Sequence, residues 1–217
     1  MIRLAGRLRF TFMLVLVLGA SPVRGAVIAQ YALGGDTGET STGKDLSGRS
    51  GLGWEATDYD LNVTASNISV SDSIPPSHED YIEDPGSLYG FPILRFEPGN
   101  NSITPVEAVQ KDKYFAFTVA AKAGFKMNLS NLTFDAARGG NGTPRGWVVL
   151  SSVDGFTNPI DSQDVPTVRN QLTSFTVDLS DAKYQGLTTV TIRIYAYAPD
   201  TGLSVEFSNV TLNGTVQ

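Results

Sequence analysis

The segment GETSTGKD, residues 38–45, differs in its last residue from the phosphate-binding pattern G-x-x-x-x-G-K-[ST]. Gly38, Gly43 and Lys44 fit, and Asp45 stands where a hydroxyl would hold magnesium. A phosphate loop must also leave a strand and open a helix whose free N–H groups face the phosphates. The apolar stretch Val27–Leu33 could supply the strand. The residues that follow, DLSGRSGLGWE, carry Gly48, Gly51 and Gly53 and predict no helix. The Asp45 carboxylate would repel phosphate, so the segment reads as a glycine-rich connection and the chain is not expected to bind nucleotide or act as an ATPase.

Other chemistry-bearing residues are few. His78 is the one histidine and there is no cysteine, which leaves the common zinc sites without ligands. A Ser–His–Asp triad has no G-x-S-x-G elbow to mark its nucleophile. In HEDYIEDP (78–85), Glu79, Asp80, Glu83 and Asp84 offer the oxygen ligands that calcium takes, but the spacing is not that of an EF-hand. A solvated acidic loop is the simpler reading, with calcium the alternative.

The aromatic residues give the better lead. In TVTIRIYAYA (189–198), Arg193, Tyr195 and Tyr197 share one face and Val190, Ile192 and Ile194 the other. Rings that stack and polar groups that orient are the mixture ligand sites use, so Arg193, Tyr195, Tyr197 and Trp147 are expected to contact a sugar, with Trp54 a further candidate. On that expectation, alanine at Tyr195 and Tyr197 abolishes binding and leaves the fold largely intact. The alternative is that both rings pack under a second layer, since aromatic residues dominate cores.

The elements that would position these residues repeat with period two. Phe115, Phe117 and Val119 alternate with small or polar neighbours in KYFAFTVA (113–120), as do Phe175, Val177 and Leu179 in SFTVDL (174–179). Further strands are expected at Val27–Leu33, Ile93–Phe96, Phe125–Leu129, Leu132–Ala136, Trp147–Ser152 and Leu203–Leu212. The apolar parity slips near Asn131 and again near Asn209, where a bulge or break would absorb one residue each. Turn formers separate the strands at 139–146, 151–156 and 198–202; SDAKYQGL (180–187) could make one helical turn, and no longer stretch carries a helical stripe. Many short alternating strands predict an all-β fold, an antiparallel two-sheet β-sandwich that is jelly-roll-like. The Gly/Ser/Asp-rich stretches at about 34–60 and 71–92 are expected to be long loops.

The first 25 residues have the layout of a secretory signal peptide: Arg3, Arg7 and Arg9, an apolar run from Phe10 to Ala20, then small residues. That run is short for a membrane span, and no second one follows. The expectation is export to the cell surface or medium, with residues 26–217 forming a single sandwich domain. Cleavage removes Arg3, Arg7, Arg9 and Arg24 from the 16 Lys+Arg and none of the 22 Asp+Glu, moving the formal charge from −6 to about −10. Nucleic acid is not an expected partner of so acidic a chain. An exported chain without cysteine must be held by its core or by metal. Eight Asn-x-Ser/Thr sequons, at Asn62, Asn67, Asn100, Asn128, Asn131, Asn141, Asn209 and Asn213, are read as turn and strand composition in place of glycan sites.

The segments AVIAQYAL (26–33), DKYFAFTVAAKAGFKMNLSNLTFDAARGGNGTPRGWVVLSSVDGF (112–156) and VEFSNVTLNGTV (205–216) together resemble bacterial exported β-sandwich proteins of the PEP-CTERM (exosortase-sorted) type. The resemblance implies a jelly-roll-like fold, first and last strands close in one sheet, and a cell-surface or secreted location. It implies no catalytic residues. No Pro-Glu-Pro motif, apolar tail or basic end stands between the closing segment 205–216 and Gln217, so the expectation is either free release or a sorting tail beyond the given residues. The resulting functional expectation is a non-catalytic binding or surface module with carbohydrate as ligand. Two alternatives stand beside it: a structural matrix or adhesin component without a small ligand, and a glycan-active enzyme on the same scaffold.

Overall fold

Alternation in the sequence becomes two inward-facing layers. The computed structural model describes residues 26–33, 41–42, 55–71, 81–83, 93–96, 98, 102–139, 142, 144–168, 171–199 and 204–217. In chain order the strands are β1 (Ala26–Tyr31), β2 (Ser41–Thr42), β3 (Asp58–Tyr59), β4 (Val63–Ala65), β5 (Ser69–Val70), β6 (Tyr81–Glu83), β7 (Ile93–Phe96), β8 (Tyr114–Ala121), β9 (Met127–Arg138), β10 (Gly146–Ser151), β11 (Asp161–Asp164), β12 (Thr173–Asp178), β13 (Thr189–Tyr197) and β14 (Val205–Val216). A short helix, α1 (Pro105–Gln110), precedes β8.

The strands form two antiparallel sheets. The first runs β12-β9-β14-β7-β6-β2, with β1 also on β14 and β3 on β1. The second runs β11-β10-β13-β8-β4, with β5 also on β8. The first and last long strands, β1 and β14, are neighbours, as the resemblance implies. The fold is thus the all-β, jelly-roll-like sandwich that the alternation predicts.

Aromatic rings join the two inner faces. Phe134 on β9 meets Trp147 on β10 edge-on, centroids 4.9 Å apart, and Phe207 on β14 meets Phe115 on β8 at 5.0 Å. Such pairs add about 0.5–1.5 kcal/mol beyond the area they bury. Leu132, Val177, Ile192, Ile194, Val210 and Leu212 fill the space between them.

Both parity slips are bulges. On β14, Ser208 pairs with Asp135 and Thr211 with Thr133, so Asn209 and Val210 stand opposite Phe134 alone. Asn209 absorbs the extra residue at φ 51°, a left-handed conformation that asparagine tolerates better than most side chains. On β9, Asn213 pairs with Asn131 and Gly214 with Leu129, which leaves Ser130 as the extra residue. The stretches expected as two strands around Asn131 are therefore one, Met127–Arg138, and Phe125 lies in the turn before it. One helical turn does form within 180–187, at Ala182–Tyr184.

The helix α1 was not legible as a stripe, because six residues make less than two turns. Its signature is a cap. Thr104 Oγ1 accepts from Glu107 N at 3.2 Å, and Glu107 Oε2 accepts from Ile103 N and Thr104 N, both at 3.0 Å. Pro105 follows the cap, where its missing N–H costs nothing.

Candidate functional site

The outer face of the second sheet is divided in two. At one end α1 lies over the sheet, with Ala108 and Val109 on Val148, Leu150, Tyr195 and Tyr197. Tyr195 and Tyr197 are 1% and 2% exposed, so these two expected contact residues form a small second core beneath the helix. Burial pushes both phenols above their ordinary pKa; for Tyr197 the adjoining Asp164 carboxylate adds to the rise. Tyr197 Oη donates to Asp164 Oδ1 at 2.5 Å. Gly146 is required alongside, since a Cβ there would lie 2.3 Å from Tyr197 Oη and 2.2 Å from the Gln163 carbonyl.

Trp147 belongs to neither part of this face. It pairs with Ala196, whereas Tyr195 pairs with Val148, so Trp147 points into the inter-sheet core and is 0% exposed. It cannot share a contact surface with Arg193. Every residue of β10 is buried, so its sequence GWVVLS carries no alternation to tell its two faces apart.

Arg193 is half-buried at the border of the helix-covered region. Its guanidinium carbon lies 3.8 Å from the centroid of the Phe156 ring and 4.3 Å from that of Tyr114. Its Nη1 donates to Tyr195 Oη at 3.4 Å, and the Tyr114 and Tyr195 rings are 5.0 Å apart. Arg193 and Tyr195 thus do come together, with Tyr195 as the buried support and Arg193 at the surface.

Phe156 was not among the expected residues, although its turn is visible in S-V-D-G-F-T-N. Gly155 and Phe156 both adopt positive φ, 70° and 59°. For a bulky side chain that is an outlier, of the kind that persists only where the surroundings enforce it. Here Asp154 enforces it. Its Oδ1 accepts from Thr157 N at 3.3 Å, and its Oδ2 accepts from Asn158 N at 3.2 Å and Asn158 Nδ2 at 3.1 Å. Phe156 N donates to the Ser151 carbonyl at 2.9 Å. Burial pushes the Asp154 carboxyl up, but the Asn158 side chain, the two backbone donors and the Lys183 charge together hold it below the ordinary aspartate value.

Beyond Arg193 the same outer face continues uncovered by α1, in three cross-strand rungs. Arg193 stands beside Ala116 and Ser69, then Thr191 beside Thr118, then Thr189 beside Ala120 and Thr64. The outer face of the first sheet differs. There Asp135 receives hydrogen bonds from Ser174 at 2.5 Å and Asn209 at 2.9 Å, and Asn213 donates to Asn131 at 2.9 Å. Two sequon asparagines, Asn131 and Asn213, are thereby engaged with each other in mid-strand.

Two depressions lie away from Arg193. A cleft of about 540 Å³ is lined by Pro144, Arg145, Asp164, Val165, Pro166 and Thr167. An apolar groove of about 180 Å³ runs between α1 and β10–β11, lined by Pro105, Val106, Val109, Val148 and Pro159. Among the described residues no three His, Cys, Asp or Glu side chains converge as a metal site requires. His78, Glu79, Asp80, Asp84, Trp54 and the expected signal peptide lie outside the described residues. No helix among the described residues is long and apolar enough to cross a membrane.

No protein-family model matches the chain, and no curated protein does. Solved structures do match. One is a carbohydrate-binding module of family 28, specific for non-crystalline cellulose, at 13% identity over 68% of this chain and 88% of that one, TM-score 0.43. Another is a family 29 carbohydrate-binding module, at 14% identity over 71% and 90%, TM-score 0.34. A third is the K3 adhesin domain of Lys-gingipain from Porphyromonas gingivalis, at 12% identity over 71% and 92%, TM-score 0.37. Identity and score at this level leave function open.

Proposed function

We propose that this protein is an exported, non-catalytic binding module whose ligand is a carbohydrate, held on the outer face of the second sheet around Arg193. The observation that carries this reading is the Phe156 turn. A bulky residue is kept at φ 59° by three hydrogen bonds to one carboxylate, and the ring so placed lies 3.8 Å from a half-buried guanidinium. Backbone strain of this sort costs about 1–3 kcal/mol and tends to sit at ligand clamps. Two rings beside a hydrogen-bond donor match the mixed apolar and polar demands of a sugar, whose ring faces are apolar and whose edges carry hydroxyls. Tyr114, Phe156 and Arg193 would touch the ligand, and Tyr195 would hold Arg193 from below.

The test is binding of the purified protein to soluble polysaccharides, compared with Phe156→Ala and Arg193→Ala. Loss of one ring or of the guanidinium should weaken binding by about tenfold, the equivalent of about 1.4 kcal/mol, with far-UV circular dichroism unchanged. Undiminished binding by both variants would move the site elsewhere, and binding to no glycan would overturn the reading.

A further inference from the structure

We infer that the ligand surface extends from the Arg193 cradle across the two rungs that follow it, and that it takes an extended, neutral polysaccharide chain. This rests on the reading above and names the class of sugar.

The rungs form a floor of unusual composition. On β13, β8, β4 and β5, apart from Arg193 they hold only Thr, Ser and Ala: Ser69, Thr191, Thr118, Thr189 and Thr64 around Ala116 and Ala120, while Leu150, the β10 neighbour of Arg193, is fully buried. A solvated strand face ordinarily mixes in Lys, Glu or Asp, as the first sheet does with Asp135 and Asp178. With no exposed aliphatic side chain longer than alanine, the floor lacks the apolar centre that a protein partner needs. With strands about 4.8 Å apart and same-face residues about 7 Å apart, it measures about 10 by 14 Å, long enough for several sugar units of a chain to lie along it.

Its hydroxyls are weakly engaged. Thr64, Ser69 and Thr189 reach backbone carbonyls of β8 only at 3.4 Å, well beyond the 2.5–3.0 Å typical of hydroxyl hydrogen bonds. Thr118 and Thr191 share a 2.8 Å bond that uses one hydroxyl proton and leaves the other. On the first sheet Asp135, Ser174, Asn209, Asn131 and Asn213 are by contrast paired among themselves at 2.5–2.9 Å. Ligand hydroxyls would therefore gain bonds on the second sheet without breaking strong ones. Neutrality follows from charge: the floor offers one cation on a chain of formal charge −6, which repels a polyanion at long range.

The experiment is a titration of the purified protein with matched sugars: cellobiose and cellohexaose, mannobiose and mannohexaose, xylobiose and xylohexaose, and polygalacturonate. The same titrations use Ala120→Gln, which obstructs the floor two rungs from Arg193. For at least one neutral series, the hexaose should bind about tenfold more tightly than the biose, and Ala120→Gln should bring it to within about threefold of the biose. The biose should be unaffected by that substitution, and polygalacturonate should bind no better than the neutral chain. Equal affinity for both lengths, a length effect that survives Ala120→Gln, or preference for polygalacturonate would overturn the inference. If such binding still needs Phe156 and Arg193, the proposed function stands alone; if none of the sugars binds, both fall. A concentration-dependent dimer that Ala120→Gln dissociates in sedimentation would assign the floor to a second copy and also overturn it.

Discussion

The Arg193 guanidinium lies over the ring of Phe156 at 3.8 Å, and Asp154 closes the turn that carries Phe156. A turn-forming carboxylate, a strained aromatic residue and a half-buried cation are therefore one mechanical unit. The predictions below separate its parts from the sandwich that carries it.

Phe156→Gly should be close to neutral for stability. Glycine relieves the positive φ, worth about 1 kcal/mol, while loss of the ring removes a cation–π contact and some buried area of similar worth. The melting temperature is expected to stay within a few degrees of the parent, and sugar binding to fall as it does for Phe156→Ala. A large drop in melting temperature would make the ring a structural element.

The turn should open in acid. The folded-state pKa of Asp154 is depressed, so its contribution is complete above the unfolded value of about 3.9 and is lost as pH falls through the lower folded value. NMR shifts of Thr157 and Asn158 amides should be flat from about pH 7 to pH 5 and move below about pH 4. Asp154→Ala should give the acid-like spectrum at neutral pH, with weaker sugar binding. Movement centred near pH 6 would contradict the assignment.

Tyr195 and Tyr197 should behave as core. Alanine at either is expected to cost about 3 kcal/mol, because each ring is buried under α1. Tyr195→Phe keeps the packing and removes only the 3.4 Å bond to Arg193, so its stability should change by about 1 kcal/mol or less. Chemical denaturation measures both. The opposite order would return Tyr195 to the surface.

Thr104→Ala tests whether α1 is held by its cap. The substitution removes the acceptor for Glu107 N and should cost about 1 kcal/mol, exposing Tyr195 to faster hydrogen exchange on β13. No change in exchange would mean that packing on Val148 suffices without the cap.

How much of this could be read in the chain depended on whether one strand alone held the information. The bulges at Ser130 and Asn209 were visible because a slipped residue reverses the parity of Leu132, Phe134, Val210 and Leu212 within their own strands. The face carrying Arg193, Tyr195 and Tyr197 was visible for the same reason. That α1 covers two of the three was not, since the cover comes from a six-residue helix about ninety positions earlier, signalled only by T-P-V-E. Trp147 was misplaced because β10 is apolar on both faces. Phe156 was passed over because a turn written D-G-F-T-N reads as punctuation until its φ is known.

The central claim is that the Phe156–Arg193 unit binds sugar, and the most direct measurement is calorimetric titration of the parent protein and Arg193→Ala with the neutral hexaoses. The account predicts a saturable heat with at least one of them, reduced about tenfold in affinity by Arg193→Ala while the melting temperature holds. Equal affinity in parent and variant, or no heat with any hexaose, would contradict it.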